Sequence, residues 1–341
     1  MKKEKINSIN FIKAVSAIGI IAAHFSNYLL NKDFSLFLVF ANGGWGSVFA
    51  QIFFMVSGAV LFYNYEDKLD LKKYYKKRCK SIFPMFYIAY FLVEVSRMIK
   101  HKSLFYRGSL VPYIFTIFGM DGYLANRTTT YYILGEWFLG MIIVLYILFP
   151  LILHRFKKDD STTMFAATIL YVLCLEKPII NAVPIWSITS CLVSFVFGMF
   201  VIKNRKILIN KFTAAESLVA VLILMFLPLG RSADVCLRLM SAYLFLLLMF
   251  AGEWIMKSKV NNKIFGCLSK YSYAIFLLQH LIIVEILTRV NPFSPIKILA
   301  VLIVDILVTV VLAMLLTKFT AVIVKSIENC VKKLNKKQKI T

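Results

Sequence analysis

The chain has 341 residues, of which 60% are hydrophobic, well above the about 45–50% that is typical of soluble domains. This composition excludes a soluble globular protein and indicates a chain that crosses a membrane several times. The formal net charge of +23 would by itself suggest a nucleic-acid partner, but the distribution of the basic residues indicates membrane topology instead.

Ten apolar runs approach or exceed the length that a transmembrane helix needs, about 20 residues. They lie at residues 9–30, 47–64, 82–96, 132–153, 163–175, 185–202, 213–229, 235–255, 271–289 and 296–321. The run at 163–175 is the shortest. The sequence therefore predicts an all-α polytopic membrane protein with about ten transmembrane helices and no soluble domain. We expect a membrane domain over residues 1–325 and a basic cytoplasmic tail over residues 326–341.

The basic residues predict the orientation of these helices. With ten spans and a cytoplasmic N-terminus, most of the 40 lysines and arginines fall in cytoplasmic segments. This bias follows the positive-inside rule, so both termini are predicted to lie inside. Topology then explains most of the excess charge, and no nucleic-acid partner is expected. The basic tail is also suited to contact anionic membrane lipid. The Lys-rich, apolar composition favours the plasma (inner) membrane of a bacterium.

Two ionisable residues lie inside the first predicted helix. Such side chains are costly in a bilayer, so their presence usually indicates a functional site. Lys13 and His24 are eleven residues apart, which places them on one helix face, about 16 Å apart along the axis. The alternative is structural: Lys13 would extend to the lipid headgroups, and His24 would be a hydrogen-bonded packing residue.

A basic segment precedes the third predicted helix. Seven lysines and arginines lie between Lys68 and Lys80, ahead of Pro84 at the start of that helix. A guanidinium binds phosphate through paired hydrogen bonds, and a lysine adds a point charge. Arg78, with Lys80 beside it, is therefore a candidate to bind a cytoplasmic ligand that carries phosphate. For the lysines, membrane topology alone is the alternative explanation.

Further candidates lie at or inside the later spans. Glu136 could orient an imidazolium or bind a sugar hydroxyl, or it could simply be an acid favoured at a helix N-terminus. Trp137 could stack on a sugar ring or belong to the aromatic belt of the interface. His280 lies in the ninth span, where it could face an internal polar site. Arg238 and Asp305, in the eighth and tenth spans, are predicted to form an internal ion pair.

Four blocks of sequence occur in a fixed order over nearly the whole chain. They are FIKAVSAIGIIAAHF, IFFMVSGAVLF, KKRCKSIFPMFY, and the pair GEWFLGMIIVLYILFPLI and YSYAIFLLQHLII. Together they resemble the integral-membrane acyltransferase-3 family, which O-acylates glycans and related acceptors. The family has a basic residue, usually Arg, and a near-invariant His where this chain has Lys13 and His24. Its RxxR motif corresponds to Arg78 followed by Ser81.

The resemblance implies ten helices and acetyl-CoA as the usual cytoplasmic co-substrate, with other acyl-CoA donors allowed. It also makes His24 the residue most closely tied to catalysis. O-acylation needs a base for the hydroxyl proton, and His24 could be that base or could carry the acyl group covalently. The six cysteines have no metal-ligand spacing, so no metal is expected. The expected site residues are His24 and Glu136 for catalysis, Lys13, Arg78 and Lys80 for the donor, and Trp137 and His280 for the acceptor.

Two departures from the family pattern affect the donor side. Lys13 keeps the positive charge but loses the guanidinium fork. Ser81 removes the second arginine, for which Lys80 could substitute. These departures leave open weaker donor binding, a different acyl donor or loss of activity.

The favoured function is an O-acetyltransferase that acts on a cell-surface or lipid-linked glycan. Two other classes fit the same residues. A transporter or flippase of a lipid-linked sugar or small metabolite would also carry intramembrane His, Asp and Arg. A membrane sensor that reuses the acyltransferase scaffold is compatible with the Ser81 departure.

Overall fold

The computed structural model of the chain describes residues 6–29, 44–102, 110–131, 133–134, 136–177, 184–226, 233–290 and 294–337, without the side chains of Glu136 and of residues 332–337. Within these ranges there is no strand, and a helix occupies each of the ten predicted spans. The ten helices are α1 Asn7–Tyr28, α2 Trp45–Tyr65, α3 Leu71–His101, α4 Glu136–Lys158, α5 Asp160–Leu173, α6 Ile188–Lys203, α7 Lys211–Phe226, α8 Ala233–Ile255, α9 Lys259–Arg289 and α10 Pro295–Lys337. Short helical pieces lie between them at Tyr113–Ile117, Asp121–Leu124, Pro184–Trp186 and Arg205–Leu208.

Among the described helices, seven are long and apolar enough to cross a membrane, namely α1 to α4 and α8 to α10. Helices α5, α6 and α7 have 14, 16 and 16 residues, fewer than the about 20 that a span needs. The shortest predicted run, 163–175, corresponds to α5. The prediction of an all-α polytopic membrane protein is confirmed. The inward orientation of the termini and the boundary at residue 325 stay predictions.

Three helices extend further than their apolar runs. Helix α3 begins at Leu71, where the Asp70 carboxylate caps it by accepting a hydrogen bond from the Lys73 N–H at 3.0 Å. The basic segment that we expected to precede this helix therefore forms its first turns, and Pro84 lies inside the helix instead of at its start. Helix α9 likewise begins at Lys259, and α10 continues to Lys337. A search for apolar runs misses these turns because their residues are polar. They are helical nevertheless, since lysine and arginine are good helix formers outside the bilayer.

The centre of the bundle is built around α1 and α2. Helix α1 packs along α9 and also contacts α2 and α8, whereas α2 packs most extensively against α6. Helix α10 packs mainly against α9 and remains the most exposed of the seven long helices. Helix α1, which carries the candidate residues Lys13 and His24, is therefore packed against three other helices.

Two glycines allow α2 and α6 to approach closely. A Cβ added at Gly58 would overlap the carbonyl oxygen of Phe195, and one added at Gly198 would overlap that of Met55. Because both obstacles are backbone atoms, a side-chain rotation cannot relieve either overlap. Small residues at such crossings are the usual way for membrane helices to pack tightly.

We predict that Gly198→Ala destabilises the protein, by at least the about 1–3 kcal/mol that overpacking a tight core costs. The measurement is the melting temperature of the detergent-purified protein. Gly266→Ala is the matched control, since the nearest obstacle to a Cβ there is 4.0 Å away and alanine is the better helix former. Equal melting temperatures for Gly198→Ala and the wild type would contradict the prediction.

Candidate active site

A cavity of about 960 Å³ lies among α1, α2, α3, α4 and α9. Five of the expected site residues line it, namely Lys13, His24, Arg78, Trp137 and His280. They come from four helices and are far apart in the sequence. The fold thus brings residues that were singled out for separate reasons into one cavity.

The two histidines of the cavity are in contact with each other. The imidazole rings of His24 and His280 have centroids 4.1 Å apart and are inclined by 52°. The ring of Tyr28 lies 5.7 Å from that of His280. A Cβ at Gly46 would be 3.5 Å from Cε1 of His24, so the absence of a side chain there leaves room beside the imidazole. Two adjacent imidazoles can pass a proton from one ring to the other, which is what acid–base chemistry requires.

A group of three cations lines another part of the cavity. Lys13 and Arg78 are joined there by Lys270 of α9. The Arg78 guanidinium lies 5.4 Å from the ring of Tyr146 and 6.0 Å from that of Tyr74. Among the side chains that the structure describes, no carboxylate forms a salt bridge with any of the three cations. Lys13 and Arg78 are partly buried, whereas Lys270 is exposed. Cations that lack a counter-ion favour the binding of an anion such as a phosphate.

Lys80 is not part of this group. Its Nζ lies outside the cavity on an exposed surface, 2.6 Å from the Glu328 carboxylate of α10. Ser81, by contrast, lines the cavity, and its hydroxyl donates to the Arg78 carbonyl oxygen at 2.8 Å. Lys80 therefore does not fill the position of the second arginine in the family motif. The cavity has a serine hydroxyl at that point.

Two stacked tryptophans form an aromatic wall of the cavity. The indole rings of Trp137 and Trp186 are nearly parallel, with centroids 5.3 Å apart and an interplanar angle of 12°. Trp137 is only 8% exposed and also packs against Phe54, at 5.9 Å between centroids. Such a wall is suited to the apolar face of a sugar ring. Glu136 begins α4, but its side chain lies outside the described residues.

The positions of the groups along α1 and α4 show how the cavity is arranged. Lys13 precedes His24 by about 16 Å along α1. Tyr146, the aromatic neighbour of Arg78, follows Trp137 by nine residues on α4, about 14 Å along that helix. The cations and the tryptophans therefore lie at different depths of the same cavity.

Lys270 and Trp186 were not among the expected site residues. Lys270 is one of the basic residues that the positive-inside rule explains, although its place directly before the YSYAIFLLQH block was a usable signal. Trp186 lies in the short turn Pro184–Trp186 before α6, where a tryptophan is equally expected in the interfacial belt. Neither residue has a local pattern that distinguishes a cavity residue from a surface one.

The predicted ion pair between Arg238 and Asp305 is wrong. Arg238 instead donates to the backbone oxygen of Ser190 at 2.5 Å and to the Ser194 hydroxyl at 2.6 Å. Asp305 is fully buried, and neither carboxylate oxygen has a hydrogen-bond partner among the described residues. The reason is the packing of the helices: α8 lies against α1, α2 and α7, whereas α10 lies against α9 and α3.

Comparison with known proteins agrees with this geometry. The family model described as an acyltransferase domain, that of the acyltransferase-3 family, matches residues 6–318. No curated protein and no solved structure matches the chain. The matched region runs from the start of α1 into α10 and includes every residue that lines the cavity. The chain therefore belongs to the acyltransferase-3 family and is a multi-pass membrane acyltransferase.

Proposed function

We propose that the protein moves an acetyl group, or another acyl group, from cytoplasmic acyl-CoA to a hydroxyl of a cell-surface or lipid-linked glycan. One observation carries the proposal: a single cavity combines three cations, two touching imidazoles and a pair of stacked tryptophans. The cations suit the phosphates of a donor, the imidazoles suit the transfer of a proton, and the tryptophans suit the face of a sugar.

The cations would bind the donor. Lys13, Arg78 and Lys270 are suited to the phosphate groups of a coenzyme A thioester, because they have no competing carboxylate among the described side chains. The thioester arm would then extend beside α1 toward His24, about 16 Å along the helix. An acyl donor held at the cytoplasmic side would thus reach an acceptor from the other side of the membrane.

The imidazole pair would carry the proton through the reaction. A ring nitrogen of His24 would take the proton of the acceptor hydroxyl as its oxygen bonds to the thioester carbonyl carbon. The carbon–sulfur bond would then break, and the leaving thiolate would receive the same proton. His280, in contact with His24, would stabilise the imidazolium between these two steps. A covalent acyl-His24 intermediate is the alternative order of events, with the same residues and the same products.

Transfer of radiolabel tests the proposal. Membrane vesicles that contain the protein would be supplied with labelled acetyl-CoA and a glycan fraction of the host envelope, with His24→Asn vesicles as the control. We expect label in the glycan only with the wild-type protein. Movement of a lipid-linked sugar without labelling would indicate a transporter or flippase. Neither labelling nor transport would favour a sensor.

A second arginine restored at position 81 is predicted to strengthen donor binding. Ser81→Arg would add a guanidinium to the cavity beside Arg78, and we expect the KM for the acyl donor to fall by about 3- to 10-fold, part of the worth of a charge-assisted hydrogen bond. Lys80→Arg is the matched control, because it places arginine at the next position but outside the cavity. An unchanged or higher donor KM in Ser81→Arg would show that this position does not meet the donor.

A further inference from the structure

Arg238 of α8 is a buried cation whose hydrogen-bond partners are all uncharged, although the Asp234 carboxylate one turn earlier on α8 interacts with it electrostatically. It is 7% exposed, and its guanidinium donates to oxygens of three residues on two other helices, Gln51 of α2 and Ser190 and Ser194 of α6. The ring of Tyr171 lies 4.5 Å from its Cζ. Among the described residues, no carboxylate forms a salt bridge with it. A buried arginine held this way is expensive in a membrane protein, which points to a specific role.

The Arg238 guanidinium determines the direction of the hydrogen bonds that Gln51 and Ser190 form. Arginine has only donors, so the Gln51 Oε1, 3.3 Å from Nη1, must accept. The Gln51 amide nitrogen then faces away and donates to the Ile185 carbonyl oxygen at 2.9 Å. In the same way the Ser190 hydroxyl accepts from Nη2, which leaves its own hydrogen to donate to the same Ile185 oxygen, also at 2.9 Å.

The carbonyl that receives both hydrogen bonds belongs to the turn that carries Trp186. Ile185 is the middle residue of Pro184–Trp186, and Ser187 follows as the cap of α6. The Cys191 thiol also donates to this carbonyl, at 3.9 Å. Trp186 comes directly after Ile185 and stacks on Trp137 at the cavity wall. A chain of hydrogen bonds therefore connects Arg238, through Gln51 and Ser190, to the turn that carries Trp186, one indole of the aromatic wall.

We propose that Arg238 is a positioning residue for this aromatic wall. By fixing the hydrogen-bond direction of Gln51 and Ser190, it holds the Pro184–Trp186 turn so that Trp186 stays stacked on Trp137. If Arg238 is replaced by a residue that can also accept hydrogen bonds, the Gln51 amide can rotate. Its oxygen would then face the Ile185 carbonyl oxygen, and the two oxygens would repel each other. Only the consequence for the glycan acceptor rests on the proposed function; the effect on the tryptophan pair does not.

The stacking itself can be measured without any enzymatic reaction. Two parallel indoles with centroids 5.3 Å apart couple electronically, so the near-UV circular dichroism of the purified protein should contain a band that Trp186→Phe removes. We expect Arg238→Gln to lose the same band. Arg205→Gln is the matched control, since its guanidinium lies over Tyr63, beyond the other end of α6, and should leave the band unchanged.

Gln51→Glu keeps the experiment decisive if Arg238→Gln does not fold. The glutamate has nearly the same shape and still accepts from Arg238, with which it would form an ion pair, but it has no N–H for the Ile185 carbonyl. We expect a folded protein whose tryptophan band is weakened. A wild-type band in folded Gln51→Glu or folded Arg238→Gln would overturn the positioning role.

The kinetic consequence separates this role from the proposed function. We expect folded Arg238 and Gln51 variants to raise the KM for the glycan acceptor by about 2- to 10-fold, the worth of one aromatic contact, with the donor KM unchanged. If the variants lose the tryptophan band but the wild-type protein transfers no label, the proposed function is overturned and the positioning role stands. A higher donor KM would contradict the assignment of the wall to the acceptor.

Discussion

Replacement of His24 by asparagine is expected to lower acyl transfer by about 10²–10⁴-fold, the range that a single positioned acid–base group supplies. The expectation rests on the place of the residue. Its imidazole lines the cavity, contacts that of His280, and lies about 16 Å along α1 from Lys13. Asparagine is close to imidazole in size and remains polar, so the packing of α1 against α9 should persist while the titratable nitrogen is lost.

The control for this experiment is His154→Asn. His154 lies near the end of α4, is exposed, and does not line the cavity, so its loss should leave the transfer rate unchanged. The measurement is the initial rate of label transfer at saturating donor, normalised to the amount of folded protein. If His24→Asn keeps more than a tenth of the wild-type rate, His24 is not the base. Label that stays bound to the wild-type protein after rapid quenching would distinguish the covalent intermediate from general-base catalysis.

Replacement of Arg78 by glutamine is expected to raise the KM for the acyl donor by about 10- to 100-fold, the worth of one charge-assisted hydrogen bond to phosphate. Arg78 lines the cavity between the rings of Tyr74 and Tyr146, and it forms no salt bridge with a described carboxylate. The guanidinium thus has two aromatic neighbours and is available to an anion. Arg78→Lys should give an intermediate increase, because it keeps the charge and loses the fork.

Lys77→Gln is the control for Arg78, because this lysine is exposed and does not line the cavity. It removes one positive charge from the same turn of α3, so it reports the effect of overall surface charge. We expect the donor KM of Lys77→Gln to stay within about twofold of the wild type, the scale of an exposed charge. Equal increases in the two variants would show that the donor responds to general charge at the membrane surface and not to a bound guanidinium.

The helices of this protein were largely predictable from its sequence. Each of the ten apolar runs corresponds to a helix, because apolar length is the dominant signal for a membrane segment. The ends were predicted less well. The turns after Leu71 and Lys259, and those that continue to Lys337, are polar, so a criterion based on apolar length does not count them.

The candidate site was predictable to the extent that its residues violate the rules for lipid-facing helices. Lys13, His24 and His280 are ionisable groups inside apolar segments, and the cost of placing them there singled them out. Arg78 was identified by the chemistry of guanidinium and phosphate. All four line the cavity. Lys80 was selected on the same grounds as Arg78 but lies on the outer side of α3, against Glu328.

The sequence by itself therefore determined which segments are helices and which residues share a face of one helix, because both follow from apolar length and the helical repeat. Only the tertiary structure decided which faces of different helices meet. It placed Lys270 and Trp186 in the cavity, and it gave Arg238 the oxygens of Gln51 and Ser190 in place of the Asp305 carboxylate. Those contacts depend on close packing between residues far apart in the chain, such as Gly58 and Gly198 at the crossing of α2 and α6, and no local pattern encodes them.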